Sequence, residues 1–136
     1  MTHAQILTYC LAKPGAYLDY PFGPDFAVVK VKAPSQAKGR IFAQPFILRG
    51  EPERSGRAAA CVTLNCAPDA GDFWRQMFPG SVVRGWHCPP IHQPHFDTVS
   101  LDGSVPDDEI IRMIDHAYKI VVAKMPKYIQ RELRGE

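Results

Sequence analysis

The chain has 136 residues, of which 46% are hydrophobic and 22% are charged, and its net charge is +2. This composition excludes a disordered chain and predicts one globular domain over residues 1–136. The small net charge does not by itself indicate nucleic acid, and no apolar run reaches the roughly 18 residues that span a bilayer, so we predict a cytoplasmic protein with no membrane partner.

The N-terminal part of the chain predicts a helix and then a strand. Thr2 and Gln5 have the spacing of a capping box, and the apolar residues that follow recur on one helical face until Pro14-Gly15 ends the pattern. Residues 25–32 alternate between two sets of side chains, which is typical of a strand with one wetter face.

Two further strands follow after short polar turns. Residues 40–49 are rich in aromatic and β-branched side chains, and residues 58–66 alternate regularly. Pro45 cannot donate a ladder hydrogen bond, so we expect its strand to lie at an edge, to be bulged or to break there. Three consecutive strands joined by short turns favour an antiparallel meander.

A short helix and two short strands occupy the middle of the sequence. The strands are predicted over residues 81–86 and 95–101, and they bracket a loop rich in histidine and proline. The helix is predicted over residues 67–78, and its apolar face is expected to contain Phe73, Trp74, Met77 and Phe78.

The clearest element is a long helix in the last third of the chain. Three acidic residues lie at its positive end, which suits the helix dipole. Asp108 with Arg112, and Asp115 with Lys119, have the spacing of i, i+4 ion pairs. A proline interrupts this helix, and the polar tail after it is predicted to form one or two more turns. The predicted core stripe of the helix is Ile110, Ile114, Ala117, Tyr118, Val121 and Met125.

The histidine-rich loop contains a cluster of candidate metal ligands, of types that zinc accepts. These ligands are His87, Cys88, His92 and His95. His87 and Cys88 are adjacent and would point to opposite sides of an extended chain. We therefore predict no metal, and the trio of His87, His92 and His95 stays open as the alternative metal site.

The same loop contains three prolines, which fix φ and remove three backbone donors. The sequence therefore predicts a stiff, extended connection between the two strands. Trp86 and Phe96 are predicted to anchor its ends by burial, and His95 is predicted to bond a backbone group.

The sequence contains none of the short motifs that mark the common hydrolase, nucleotide-binding or dinucleotide-binding sites. Cys88 beside His87, and Cys66 beside Asn65, are candidate nucleophiles, but neither comes with a recognisable base or oxyanion hole. The four cysteines form no CxxC pair and are predicted to be reduced and buried. We predict no enzymatic activity, no catalytic residue and no cofactor.

Basic residues are concentrated in positions 1–57, which contain eight Lys/Arg and four Asp/Glu. Such cations could contact phosphates, as the wings of DNA-binding domains do, or could form a solvated surface. Phe22, Phe26 and Phe42 lie nearby, but aromatic residues in strands more often belong to the core than to a stacking surface. The candidate nucleic-acid-binding residues flank two predicted turns and are Lys30, Lys32, Lys38, Arg40, Arg49, Arg54 and Arg57.

Several short segments occur in an order that is typical of a known family. They are PGAYLDYPFG (14–23), GRIFA (39–43), LNCAP (64–68), HFDTVSLDG (95–103) and MPK (125–127). In this order, and over nearly the whole chain, they resemble the MmcQ/YjbR-like family. The resemblance implies a two-layer α+β domain with an antiparallel sheet of about five strands, helices at both termini and a likeness to secretion chaperones. It also implies a double-wing arrangement predicted to bind DNA, and it brings no catalytic residues.

Two departures from the family pattern bear on the nucleic-acid prediction. Pro94 precedes His95 and Phe96 where relatives carry a basic pair before His-Trp, and Asn65 stands where a lysine often occurs. Each lost cation reduces the slope of log affinity against log salt concentration by somewhat under one unit. The sequence thus predicts a small binding module with DNA as one candidate partner. The alternative partner is another protein, which would pair through a sheet edge or a helix face.

Overall fold

Six strands, five helices and one short 3₁₀ helix make up the part of the chain that the computed structural model describes, residues 1–50, 52–85 and 87–136. In chain order these elements are α1 (His3–Leu11), β1 (Ala16–Asp19), β2 (Val28–Val31), β3 (Arg40–Ile47), α2 (Pro52–Ser55), β4 (Ala60–Asn65), α3 (Pro68–Met77), β5 (Val82–Arg84), the 3₁₀ helix (Gln93–His95), β6 (Phe96–Ser100), α4 (Asp107–Ala123) and α5 (Lys127–Leu133).

The strands form one antiparallel sheet in the order β1-β2-β3-β4-β6-β5. The predicted α+β architecture is confirmed, and β2, β3 and β4 form the predicted meander. The sheet has six strands where about five were expected, because β1 was not among the predicted strands. This four-residue strand pairs with β2 at the edge of the sheet, and a segment that short shows no clear alternation.

A bulge interrupts β3 near its first end. Val29 pairs with Ala43, but Lys30 pairs with Ile41, so β3 contributes one additional residue, Phe42. The irregularity lets the adjacent residues Phe42 and Ala43 both enter the core.

Pro45 lies in the second half of β3, beyond the last residue that pairs with β2. There β3 has a paired neighbour only in β4, where Val62 lies opposite Pro45. A missing N–H is tolerated at such a one-sided position. The expectation of an edge is confirmed for this half of the strand, whereas the bulge lies at Phe42.

The helices pack against one face of the sheet and share a single apolar core with it. Val62, Leu64 and Val99 contribute from the strands, Ile6 from α1 and Ile114 from α4. All five side chains are almost completely buried. Burial of each such side chain stabilises the fold by roughly 1.5–3 kcal/mol.

Tyr118 of α4 connects the core to the start of β1. Its ring meets that of Phe42 edge-on, with 5.4 Å between ring centres. Its hydroxyl donates a hydrogen bond of 2.6 Å to the carbonyl of Pro14. Edge-to-face aromatic pairs add about 0.5–1.5 kcal/mol beyond the area that they bury.

Local signals and tertiary contacts agree at the start of α1 but not along α4. Thr2 caps α1, and the predicted capping box is confirmed. The predicted i, i+4 ion pairs of α4 are wrong, because Arg112 binds Glu109 and Asp115 accepts from Lys13 of α1 at 2.6 Å. A partner from another element thus competes with the partner one turn along the same helix.

The helix α3 runs from Pro68 to Met77, within the predicted range of 67–78, but its apolar residues divide between two faces. Trp74 packs against His116 of α4, with 5.2 Å between ring centres. Phe73 and Met77, which were expected to share the apolar face, are exposed. The predicted apolar face is therefore wrong for Phe73 and Met77, because the helix contacts the rest of the fold through a narrower stripe that contains Trp74 and Phe78.

Candidate functional site

Lys30, one of the predicted nucleic-acid-binding residues, is engaged within the sheet. Its ammonium lies 2.6 Å from the carboxylate of Asp19, on the neighbouring strand β1. This contact raises the pKa of Lys30 and lowers the pKa of Asp19. A phosphate would have to displace Asp19, so Lys30 contributes less charge to a ligand than its position in the sequence implied.

The turn between β2 and β3 is held by groups from two other elements. Glu132 of α5 accepts hydrogen bonds from the N–H and the hydroxyl of Ser35, at 2.9 and 2.5 Å. The hydroxyl of Tyr17 accepts from the N–H of Gly39 at 3.1 Å. The ammonium of Lys32 lies 5.4 Å from the centre of the Tyr17 ring. These contacts fix the turn and place a carboxylate beside its cations.

The remaining six predicted cations fall into two groups. The first cationic group, on the β2–β3 turn, consists of Lys32, Lys38 and Arg40, and the second, on the loop between β3 and β4, consists of Arg49, Arg54 and Arg57. The two groups lie at opposite ends of β3, which has eight residues. At the usual rise per residue, these ends are about 23 Å apart. The structure therefore divides the predicted residues between two sites instead of joining them in one patch.

An apolar cleft, which we call the aromatic cleft, opens beside the second cationic group and has a volume of 340 Å³. Phe22 and Ile47 lie on its wall and are 65% and 57% exposed. His87 reaches the cleft from the loop after β5, and its imidazole lies 5.7 Å from the ring centre of Phe46. The residues that line the cleft include Phe22, Phe26, Val28, Phe46, Arg49 and His87.

The aromatic cleft was not predicted from the sequence. Of the three phenylalanines near the basic turns, Phe42 belongs to the core, whereas Phe22 and Phe26 are exposed. Phe26 lies just after a turn, and its N–H donates to the carbonyl of Gly23. The proline and glycine residues around Phe22 and Phe26 were the available signal, because they exclude both rings from a strand interior.

The loop that follows β5 is compact, which corrects the prediction of an extended connection. The N–H of His92 donates to the carbonyl of Pro89, and that of His95 donates to the carbonyl of His92. The fixed φ of proline suits turns as well as extended segments, and turn hydrogen bonds decide between them here. Phe96 is half-buried, and Trp86 lies outside the described residues.

The three histidines of the alternative metal site are not brought together. Among the residues described, no three His, Cys, Asp or Glu side chains are arranged to hold a metal ion. His87 contacts the aromatic cleft, and burial lowers its pKa. His92 and His95 are exposed. The carbonyl of His95, not its side chain, makes a structural bond, since it accepts from the N–H of Cys66 at 2.9 Å.

The candidate nucleophiles lie in surroundings that keep a thiol protonated. Burial, with the nearby Asp97 carboxylate, raises the pKa of Cys66 to about 12, and burial also raises the pKa of Cys88. Asp97 on β6 binds Arg75 of α3 inside the protein. Burial raises the pKa of Asp97 to about 6, although Arg75 favours its ionised form. This polar cluster joins α3 to the sheet.

The fold and these surfaces define a class of small α+β protein whose antiparallel sheet is covered by helices on one face and carries loops with cationic and aromatic side chains. None of the helices in the described part of the chain is both long enough and apolar enough to cross a bilayer.

A model of the YjbR family matches residues 11–120, and the chain belongs to this family. The uncharacterized protein YjbR of Escherichia coli (strain K12) is 28% identical over 127 residues, which cover 93% of this chain and 92% of that protein. The family resemblance expected from the sequence is thereby confirmed, and the relative's name assigns no activity.

Solved structures show the same fold. The crystal structure of Deinococcus radiodurans protein DR2400, with the family-model domain DUF419, matches with a TM-score of 0.80 at 27% identity and covers 98% of this chain and 88% of that one. The crystal structure of a protein from Pseudomonas syringae matches with a TM-score of 0.69 at 20% identity, over 89% of this chain and 99% of that one.

Proposed function

We propose that the chain is a binding module without catalytic chemistry and that its ligand is nucleic acid. The observation that carries this proposal is the placement of two cationic groups on the loops at the two ends of β3. Lys38 and Arg40 are exposed at one end, and Arg49 and Arg54 at the other. Phosphate contacts of this kind supply affinity without sequence preference.

The salt dependence of binding distinguishes contact with one cationic group from contact with both. A site that contacts three phosphates has a slope of about −2.7 in a plot of log affinity against log salt, and one that contacts six has a slope of about −5.4. The roughly 23 Å between the groups corresponds to about seven base pairs of a duplex. One duplex can therefore reach both groups, and the slope reports whether it does.

The test is fluorescence polarisation with a labelled duplex at about 50 and 200 mM salt. Two double variants remove charge from one group each: Lys38→Gln with Arg40→Gln, and Arg49→Gln with Arg54→Gln. The matched control is Lys119→Gln with Lys127→Gln, which removes the same charge from exposed positions on α4 and α5. If both groups bind, each test variant reduces the slope by about 1.8 units and the control leaves the slope unchanged.

Two results would contradict the proposal. One is the absence of binding at low salt. The other is an equal loss of affinity in the control variant, because such a loss would come from net charge and not from the two groups.

A second candidate function is association with another protein, here a second copy of the chain. Phe73 and Met77 favour it, because they lie one turn apart on α3 and both are exposed. Sedimentation velocity over a range of concentrations tests this candidate. Self-association that Met77→Glu abolishes would support it, and a monomer at every concentration would exclude it.

A further inference from the structure

Three large apolar side chains are exposed around the aromatic cleft. Phe22, Phe26 and Ile47 are each more than half exposed, and all three line the same depression. A contiguous apolar patch around a concave site is typical of a ligand-binding surface, whereas isolated exposed hydrophobic residues are normal. The volume of 340 Å³ lies at the lower end of the range for small-molecule sites, which is about 300–1,000 Å³.

The lining of the cleft favours a planar ring. Phe22, Phe26 and Phe46 contribute aromatic rings, and the imidazole of His87 packs near Phe46. Aromatic groups prefer offset or edge-to-face contact with one another, which adds about 0.5–1.5 kcal/mol to the burial of area. An aliphatic ligand would be stabilised only by the burial of its apolar area, without the additional contact between rings.

The charge at the rim favours an anion. Arg49 lines the cleft and is exposed, and none of the described residues that line the cleft is acidic. Asp25 lines a neighbouring depression that shares Phe26, Ile47 and Arg49 with the cleft, but it is not among the residues that line the cleft itself. Arginine suits carboxylate, sulfonate and phosphate groups because its planar fork can donate two parallel hydrogen bonds.

We propose that the aromatic cleft binds a small planar aromatic molecule that carries one negative charge. Its ring occupies the apolar part of the cleft beside Phe26 and Phe46, and its anionic group lies at the rim beside Arg49. The cleft shares Arg49 with the second cationic group, but the apolar part of the cleft does not depend on that guanidinium, so a neutral ligand lets either proposal fail alone.

Two fluorescent probes with the same aromatic body test the assignment. One is 1-anilinonaphthalene-8-sulfonate, which is anionic, and the other is N-phenyl-1-naphthylamine, which is neutral. Titration of the full chain should show one saturable site for each probe. Arg49→Gln should weaken the anionic probe about fivefold or more and leave the neutral probe within about twofold, because only the first uses the guanidinium.

Controls separate binding at the cleft from binding to loosened protein. Arg131→Gln removes the same charge from an exposed position on α5 and should change neither probe. Ile47→Asp should weaken both probes. Near-ultraviolet circular dichroism identifies any variant that has lost packing, and Phe22→Ser then replaces Ile47→Asp as the cleft variant.

Three results would overturn the proposal. The first is the absence of a saturable site for either probe. The second is an equal effect of Arg49→Gln on the two probes. The third is displacement of the neutral probe by a short single-stranded oligonucleotide at the concentration at which that oligonucleotide itself binds, which would assign the apolar part of the cleft to nucleic acid.

Discussion

The two ends of β3 use the same kinds of side chain for different purposes. At the first end, Phe42 is buried against Tyr118, and the turn that follows β2 is tied to Tyr17 and Glu132. At the second end, Phe46 borders an open cleft, and Arg49 has no ion-pair partner among the described residues. The Phe42 ring and the contact of Lys32 with Tyr17 thus support the fold at the first end, whereas Phe22 and Arg49 face solvent at the second.

This difference locates the surfaces available to a ligand. A side chain that already contacts other parts of the chain must give up those contacts before it can bind anything else, as Lys30 would have to leave Asp19. Arg49 at the second end carries no such cost, because it is exposed and has no ion-pair partner among the described residues. We therefore expect the second end to dominate ligand binding and the first end to dominate stability.

The largest expected effect comes from removing a phenylalanine at each end. Phe42→Ala should reduce the free energy of unfolding by about 3–5 kcal/mol, because this ring is completely buried. Phe22→Ala removes the same atoms from an exposed position and should cost about 0.5 kcal/mol. Urea unfolding followed by circular dichroism measures both. Equal losses would remove the distinction between the ends.

A pH series isolates Asp97, which belongs to neither end. Its pKa is raised to about 6, so the folded protein retains a proton that the unfolded chain releases near pH 4. The contribution of this group to the free energy of unfolding is therefore fully present below about pH 4. It declines by at most about 3 kcal/mol as the pH rises to about 6 and is constant at higher pH.

Lysine and arginine keep their charge over this range, so variants of either cationic group should show the same decline. Thermal unfolding at several pH values measures it, with Asp97→Asn as the variant in which the decline between pH 4 and 6 should disappear. A decline that persists in Asp97→Asn would assign the effect to another group.

Alanine substitution of two glycines with positive φ tests how tightly the chain is packed near the two ends of β3. At Gly15, with φ of 76°, an added methyl group would collide with the backbone carbonyl of Lys32. At Gly50, with φ of 71°, no atom of the described residues lies within 4 Å of that methyl group, apart from the chain neighbours of the glycine. Gly50→Ala should cost about 1 kcal/mol from backbone conformation alone, and Gly15→Ala should cost at least about 2 kcal/mol because the backbone must also move. Similar values from chemical unfolding would show that the first end is loosely packed.

The smallest expected effect is a change in salt dependence at the first end. Asp19→Asn removes the partner of Lys30 and should steepen the salt slope of duplex binding by about 0.9 units. Asp108→Asn removes the same charge from an exposed position on α4 and should leave the slope unchanged. An unaltered slope in Asp19→Asn would mean that Lys30 does not approach the phosphates.

Elements with strong local signals were predictable from the sequence. The capping box at Thr2 and the apolar stripe of α4 depend on neighbouring residues only, and both are confirmed. The bulge at Phe42 could not be foreseen, because a run of adjacent apolar residues is compatible with a regular strand. The ion pair between Asp115 and Lys13 joins two helices that are distant in the sequence.

The aromatic cleft shows more clearly which features could not be predicted from the sequence. Its walls come from the segment before β2, from β3 and from the loop after β5. Phe22, Phe46 and His87 have no spacing that relates them, and only the paired strands bring them together. The candidate cations could be grouped from the sequence alone, because the members of each group lie close together in the chain around one predicted turn.

The additional residue in β3 makes this strand tolerant of a change in length at one point. Because Phe42 is the residue left over between two aligned stretches, a relative without it would keep every other side chain of the strand on its present side of the sheet. A deletion elsewhere in β3 would move the side chains of part of the strand to the opposite face of the sheet. Single-residue gaps between family members should therefore fall at this position, and the protein that carries the gap also loses the buried Phe42 ring and its contact with Tyr118 of α4.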